Sequence, residues 1–183
     1  GIRLLRVRPF LAKNILIRPM EPEDVIHLER WFYSGDHDDF FLNTLALTKE
    51  QLKVYSYMKD GQGFMIWHED KPVGFISLYE MRVVSGNLKI GILIDKEHRK
   101  SMVGYESMKM IMDYVFNQLN FVKVIAEVLV TNERVNAVIC NGGYWKEATL
   151  QREANFKGKL TDVIRYCIFR DEFLNGVEKG FYI

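Results

Sequence analysis

The sequence predicts an α/β domain built on a mixed sheet, and three observations carry that prediction. Strand-like runs in the first half are separated by short polar turns, His68-Glu69-Asp70-Lys71 and Ser85-Gly86-Asn87, which makes an antiparallel meander. In the second half the strands are separated by helical segments, the connection that parallel pairing requires. Between the halves, a strand-like run over residues 87–95 passes through the basic turn Glu97-His98-Arg99-Lys100-Ser101-Met102-Val103-Gly104. Beyond it, Met108, Ile111, Met112, Val115, Phe116 and Leu119 recur at three- and four-residue spacing, the signature of one helical face.

Taken in order, Asn14-Ile15-Leu16-Ile17-Arg18 reads as a strand, and Pro22 followed by Glu23 and Asp24 starts a helix with Val25, Leu28 and Phe32 on one face. After the polar loop Asp36-His37-Asp38-Asp39, Thr48-Lys49-Glu50-Gln51 has the form of a capping box, so a second helix follows with Leu52, Tyr55 and Met58 inward. Residues 63–67 and 71–81 are the next two strands, and residues 122–130 form a β-branched run typical of a buried strand. Asn132 caps a short helix with Val135, Val138 and Ile139 on one face, ended by Gly142-Gly143. Residues 145–150 and 162–169 form a last strand pair.

A chain of 183 residues with 48% hydrophobic content fits one domain spanning residues 1–183, without repeats or linkers. Lysine plus arginine number 25 against 24 aspartates and glutamates, so no overall field draws the chain to nucleic acid or a membrane, and a charged ligand needs a local site. The basic opening over residues 1–11 is interrupted by arginines and lacks the apolar core of a targeting segment, and no apolar run approaches membrane-helix length. A cytoplasmic location is the expectation. Cys140 and Cys167 form no CxxC pair and read as buried, reduced thiols; His27, His37, His68 and His98 show no metal-ligand spacing, so no metal is implied.

The strand-to-helix turn is a candidate anion site. Amides of the first helical turn lack intrahelical partners and sit at the positive end of the helix dipole, and Arg99 and Lys100 add two cations that the dipole alone would disfavour. Together these groups suit a diphosphate.

With the elements in this order, the chain resembles the GNAT superfamily of acyl-CoA N-acyltransferases over about residues 14–174, especially the branch with ribosomal-protein N-terminal and spermidine N-acetyltransferases. Four segments carry the resemblance: Ile17-Arg18-Pro19-Met20-Glu21-Pro22-Glu23-Asp24, the turn over residues 99–104, residues 132–144, and Ile164-Arg165-Tyr166-Cys167-Ile168-Phe169. It implies a mixed, largely antiparallel sheet flanked by helices, acetyl-CoA as acyl donor, and direct transfer to a primary amine of a small molecule or peptide, with no nucleic acid or membrane partner; association of identical chains is left open. By the same resemblance Ile92, Leu93 and Ile94 lie along the pantetheine arm, Arg99, Lys100, Ser101, Met102, Val103 and Gly104 hold the diphosphate, and Asn132 completes the cofactor site.

The pattern departs from the family at three positions. Met102 stands where a glycine is usual, Ile139 where many relatives carry a tyrosine acid, and Lys89 where a carboxylate is frequent. Glu80, at a strand end acidic in polyamine-type relatives, is then the candidate for the amine proton, with an exposed strand-end carboxylate as the plain alternative. Tyr79 alternates to the other face. Asp36, Asp38 and Asp39 are candidates for attracting a cationic acceptor, against the alternative of a solvated acidic loop. Cys140, about 100° around the helix from Ile139, is not a substitute acid, and Tyr144 reads as packing. The competing function is an acyl-CoA-binding protein that keeps the fold and transfers nothing.

Overall fold

The computed structural model describes residues 11–12, 14–33, 61–99 and 101–178. Lys100, Asp36, Asp38, Asp39, the helix expected after Thr48 and the basic opening over residues 1–10 lie outside them.

The strands are β1 Leu11–Ala12, β2 Ile15–Pro19, β3 Gln62–His68, β4 Lys71–Arg82, β5 Asn87–Ile94, β6 Lys123–Leu129, β7 Trp145–Phe156 and β8 Lys159–Phe169. The helices are α1 Val25–Tyr33, α2 Val103–Asp113, α3 Glu133–Asn141 and α4 Arg170–Glu178. One eight-stranded sheet runs in the order β1-β2-β3-β4-β5-β6-β8-β7. Every neighbouring pair is antiparallel except β5 and β6, which are parallel and joined by α2.

Local chemistry explains the turns. Glu69 and Asp70, at φ 49° and 63°, close β3 onto β4 with two consecutive left-handed residues, and Lys157 with Gly158, at 52° and 81°, does the same between β7 and β8. That second hairpin is longer than the sequence suggests, because a register shift between Leu150 and Ala154, with Arg152 at φ 52°, carries the strands through the polar segment between the two apolar runs. At the chain start, Arg18 grips Asp24 through two hydrogen bonds of 2.6 and 2.8 Å, while Asp24 accepts the Glu21 amide at 2.8 Å. The Asp24 hydrogen bond outweighs desolvation and holds the Arg18 guanidinium above its ordinary pKa. The first conspicuous motif of the chain therefore fixes the entry to α1.

Alternation along the strands separates two apolar layers. Leu88, Ile90, Val124 and Ala126 face α2 and the turn that follows it, where Met110, Ile111, Val115 and Phe116 are buried against them. Met65, Phe75 and Leu93 face the opposite way and pack under α1 against Val25, Leu28 and Trp31. Trp31, rather than Phe32, is the deeply buried aromatic of α1; its indole N–H donates to Asp95 Oδ2 at 2.9 Å. The apolar stripe expected to run as one helix to Leu119 changes form after Asp113 into a π turn over Tyr114–Gln118, with the Leu119 amide reaching the Tyr114 carbonyl at 3.0 Å. The wider turn places Tyr114, Val115 and Phe116 in the core together, which a narrower turn would spread around its circumference.

Candidate active site

The site follows from an interruption in the sheet. β5 and β6 pair over only three residue pairs, Asn87↔Lys123, Leu88↔Val124 and Lys89↔Ile125, and then diverge, although β5 stays paired with β4 through Ile94 and β6 with β8 through Leu129. A cavity of about 470 Å³ occupies this fork. Both Ile90 and Ile92 of one sheet face and Gly91 and Leu93 of the other line it, so it runs through the sheet from the α2 side to the opposite face. α2 and α3 wall it on one side, with Gly104, Met108, Asn132, Val135, Val138 and Ile139.

Most of the residues expected to hold a cofactor meet here. Ile92, Leu93, Ile94, Arg99, Ser101, Met102, Gly104 and Asn132 all line the cavity, while Val103 turns its side chain into the core. Asp95 organises the approach to the turn: its side chain accepts from the Glu97 amide at 3.1 Å and from Trp31, and these bonds overcome the opposing effect of burial to hold its carboxyl below the ordinary 3.8. The Arg99 Nε donates to the Ile94 carbonyl at 3.3 Å, which ties the cationic side chain to the end of β5. Met102 precedes α2 at φ −77° and ψ 2°, a backbone shape open to any residue, and is 63% exposed. The absence of glycine there does not strain the turn, and the methionine side chain projects at the cavity mouth. A Cβ on Gly104 would come to 3.3 Å from Ile94 Cγ1, so this glycine lets the first turn of α2 approach β5 closely.

These features fit acetyl-CoA. Unpaired strand length beside a through-going cavity suits a pantetheine arm, whose amides could pair with β5 there, and the helix start beside Arg99 suits the diphosphate. When bound, the coenzyme supplies an activated thioester. Asn132 contributes by shaping the far wall, since its Oδ1 accepts the Val135 amide at 3.3 Å and caps α3.

A charged cluster closes the fork. Lys89, at the last β5–β6 pair, has its ammonium 2.8 Å from Glu80 Oε2 and 2.6 Å from Glu127 Oε1, and Arg165 Nη2 lies 3.7 Å from Glu127 Oε2. Burial alone would push the Lys89 ammonium down, but its hydrogen bonds to Glu127 and Glu80 prevail and hold it above the ordinary lysine value. Glu80 sits in a β-bulge between Tyr79 and Arg82 at φ 45°; the bulge breaks the simple alternation expected of Tyr79 and Glu80 and turns Glu80 toward Lys89. Its side chain is 50% exposed and does not line the cavity, whereas Glu127, 8% exposed, does. Glu127 was not singled out in the sequence; the available signal was a lone carboxylate inside the apolar run over residues 122–130, on the parity of Ile125 and Leu129.

Ile139 lines the cavity at 9% exposure, so the tyrosine position on the short helix is occupied by a hydrocarbon facing the site. Tyr144 also lines it, with its hydroxyl 3.5 Å from Met112 Sδ, a packing contact between the end of α3 and α2. The expectation of two buried thiols holds for Cys167 and fails for Cys140, which is exposed because Ile139 takes the inward direction at that turn of α3. Cys140 Sγ donates to the Tyr166 hydroxyl at 3.6 Å, and that hydroxyl donates to Asn136 Oδ1 at 2.7 Å. Asn136 in turn donates to the Leu129 and Asn132 carbonyls at 2.9 and 2.8 Å, which pins α3 to the end of β6. Among the described residues no group of three or more histidine, cysteine, aspartate or glutamate side chains could hold a metal ion, and no helix is long and apolar enough to cross a membrane.

Comparison with known proteins agrees with this geometry. Spermidine N(1)-acetyltransferase of Escherichia coli strain K12 is 23% identical over 172 residues, covering 89% of this chain and 90% of the relative. The Bacillus subtilis protein named probable N-acetyltransferase YjcK is 24% identical over 169 residues, covering 82% and 91%. Among solved structures, spermidine N-acetyltransferase from Vibrio cholerae in complex with CoA and spermine superposes with a TM-score of 0.80 at 20% identity, over 88% of this chain and 99% of that one. Residues 14–144 match the acetyltransferase (GNAT) domain, and with the forked sheet, the cationic helix start and the cavity between them, the chain belongs to the GNAT family of acetyl-CoA-dependent acetyltransferases.

Proposed function

We propose that the protein acetylates a primary amine of a small molecule, with polyamines the first class to test. The observation that carries this reading is the cavity through the β5–β6 fork: it leads from the cationic start of α2 to a sheet face bearing Glu80, Lys89 and Glu127. The names of the spermidine acetyltransferase relatives support the choice of acceptor class.

In the transfer, the amine nitrogen adds to the thioester carbonyl carbon, the carbon–sulfur bond breaks, and a proton leaves nitrogen while the thiolate departs. The chain's part is to hold both reactants and to accept that proton. The backbone of β5 from Gly91 to Ile94 and the turn at Arg99, Ser101, Met102 and Gly104 orient the donor, and Asn132 sets the opposite wall. Glu80 and Glu127 are the two carboxylates joined to Lys89. Asp36, Asp38 and Asp39 are proposed to attract the cationic acceptor on the strength of their charge and place in the sequence. Cytoplasmic residence is proposed from the same substrate class.

The test is release of coenzyme A thiol from acetyl-CoA against spermidine, spermine, an amino sugar and a peptide with a free N-terminus. Turnover with a polyamine supports the reading, and turnover with the peptide or the sugar alone reassigns the acceptor. One observation favours a second reading, an acyl-CoA-binding protein without transferase activity: Ile139 presents no proton donor at the short helix. Tight acetyl-CoA binding without thiol release from any amine would establish that alternative.

A further inference from the structure

We propose that the protein takes acyl donors longer than acetyl, as short unbranched aliphatic acyl-CoA thioesters, and transfers those chains as well, a proposal that rests on the transferase reading above. The cavity does not end where the sheet closes. Its lining includes Ile168, whose partner on β6 is Val124, and Val124 is itself paired with Leu88, one step below the last β5–β6 pair, Lys89↔Ile125. A pantetheine arm laid along the unpaired part of β5 reaches the closed end of the fork at Ile90, so the space beside Ile168 lies beyond it. On the α2 wall the lining runs from Gly104 to Met112, eight residues or about 12 Å at 1.5 Å per residue. The cavity therefore continues, on the α2 side, as a chamber past the point where the thioester would lie.

The chemistry of the chamber selects hydrocarbon. Met112, Ile139, Tyr144, Ile168 and Phe173 form its inner end, none of them charged, and the Tyr144 hydroxyl is turned onto Met112 Sδ at 3.5 Å. An ionised acyl group would lose its water there without a charged partner, whereas each methylene gains by leaving water. Two positions keep the passage open. Ala126, the first residue of β6 beyond the last pair, presents only a methyl group toward α2, and Ile139 on α3 carries no ring. Orientation agrees with this. The charged cluster of Glu80, Lys89 and Glu127 lies on the opposite face of the sheet, and an amine adding to the thioester carbonyl from that face leaves the acyl chain directed to the apolar side. The longer donor needs no new step: nitrogen adds to the carbonyl carbon, the carbon–sulfur bond breaks, and an N-alkanoyl amide and coenzyme A form, the proton lost by nitrogen ending on the thiol.

The experiment measures binding of coenzyme A, acetyl-CoA and butanoyl-CoA to the full chain by calorimetry, and thiol release from the two thioesters with an amine that acetyl-CoA acylates. A methylene moved from water into an apolar chamber is worth about two- to fourfold in affinity, so butanoyl-CoA is expected to bind about four- to sixteen-fold more tightly than acetyl-CoA and to be turned over with the same amine. A gain below about fourfold overturns the chamber, while binding of coenzyme A itself leaves the cofactor site standing. Tight binding of butanoyl-CoA without thiol release, where acetyl-CoA reacts, overturns its transfer. If no amine releases thiol from acetyl-CoA, the transferase reading falls and the transfer of longer chains with it, and if neither coenzyme A nor its thioesters bind, the cofactor site falls too. Placement is tested by Ile139→Phe, whose ring extends into the chamber and is expected to erase the difference between butanoyl-CoA and acetyl-CoA; a difference as large as in wild type overturns the assignment of the chain to this space. If Ile139→Phe does not fold, Ala126→Val narrows the passage from the β6 side and is read in the same way.

Discussion

Replacing Lys89 by methionine removes a cation that both Glu80 and Glu127 contact closely, and the structure sets the cost. The ammonium end of Lys89 belongs to a side chain 17% exposed, and Glu127 is 8% exposed, so this half of the cluster behaves as a buried pair. Breaking such a pair from one side leaves an uncompensated charge and typically costs about 3–5 kcal/mol. Arg165 remains 3.7 Å from Glu127 and offsets part of that, which brings the expected loss to about 2–3 kcal/mol. For a chain of this size, about 2–4 °C accompanies each kcal/mol, so the melting temperature should fall by about 4–12 °C. Glu80→Gln breaks only the half-exposed contact and should cost no more than about 1 kcal/mol. The double replacement Lys89→Met with Glu127→Leu should recover most of the loss, because two charges leave the interior together and Arg165, about a third exposed, can be hydrated. Thermal and urea melts of the four proteins test the reasoning. A Lys89→Met melt indistinguishable from wild type, or a Glu80→Gln loss as large as that of Lys89→Met, would show that the cluster is not the buried network its geometry describes.

Acetyl-CoA at about 100 times its dissociation constant should stabilise the protein by roughly 2.7 kcal/mol, visible as a rise of about 5–11 °C in the melting temperature; no shift at millimolar concentration would remove the fork as a cofactor site. Met102→Gly should tighten coenzyme A binding in calorimetry, since the side chain is largely exposed at the cavity mouth and glycine is tolerated before a helix; weaker binding would mean that Met102 itself supports the bound coenzyme. Stability should stay level through neutral pH and decline above pH 10. Lys89 is held above its ordinary 10.5, and burial together with the Cys140 thiol pushes the Tyr166 hydroxyl from 10 up to about 12. Both groups bind their protons more tightly when folded, so each contribution is complete below the unfolded pKa and is lost as pH rises toward the folded one. Denaturant melts from pH 7 to 12 measure this, and a stability that rises between pH 10 and 12 would contradict it.

The meander from Gln62 to Ile94 was legible because its signals are local. Alternation, two-residue turns and a proline at a helix start do not depend on distant neighbours. The strand, the turn and the helix that line the cavity were legible for the same reason, since they are contiguous in the chain. The charged cluster was not. Glu80, Lys89, Glu127 and Arg165 come from β4, β5, β6 and β8, and their meeting depends on strand order and register, which periodicity does not encode. Glu80 illustrates the limit: simple alternation assigns its face, but the bulge at φ 45° decides where its carboxylate goes. Cys140 illustrates another, because helical phase correctly separates it from Ile139 without revealing its bond to a tyrosine on β8.

The three-pair contact between β5 and β6 also leaves a thin seam in the middle of the sheet, whereas sheets ordinarily fray from their outer strands. On either side of that seam lies an antiparallel ladder, β1 to β5 and β6 to β8, and the two share one core beneath α2. A coenzyme arm held in the fork would act as a rivet across the joint. β4 and β8 already protect part of residues 91–93 and 126–128, so ligand should slow amide exchange there chiefly at the positions that face the fork.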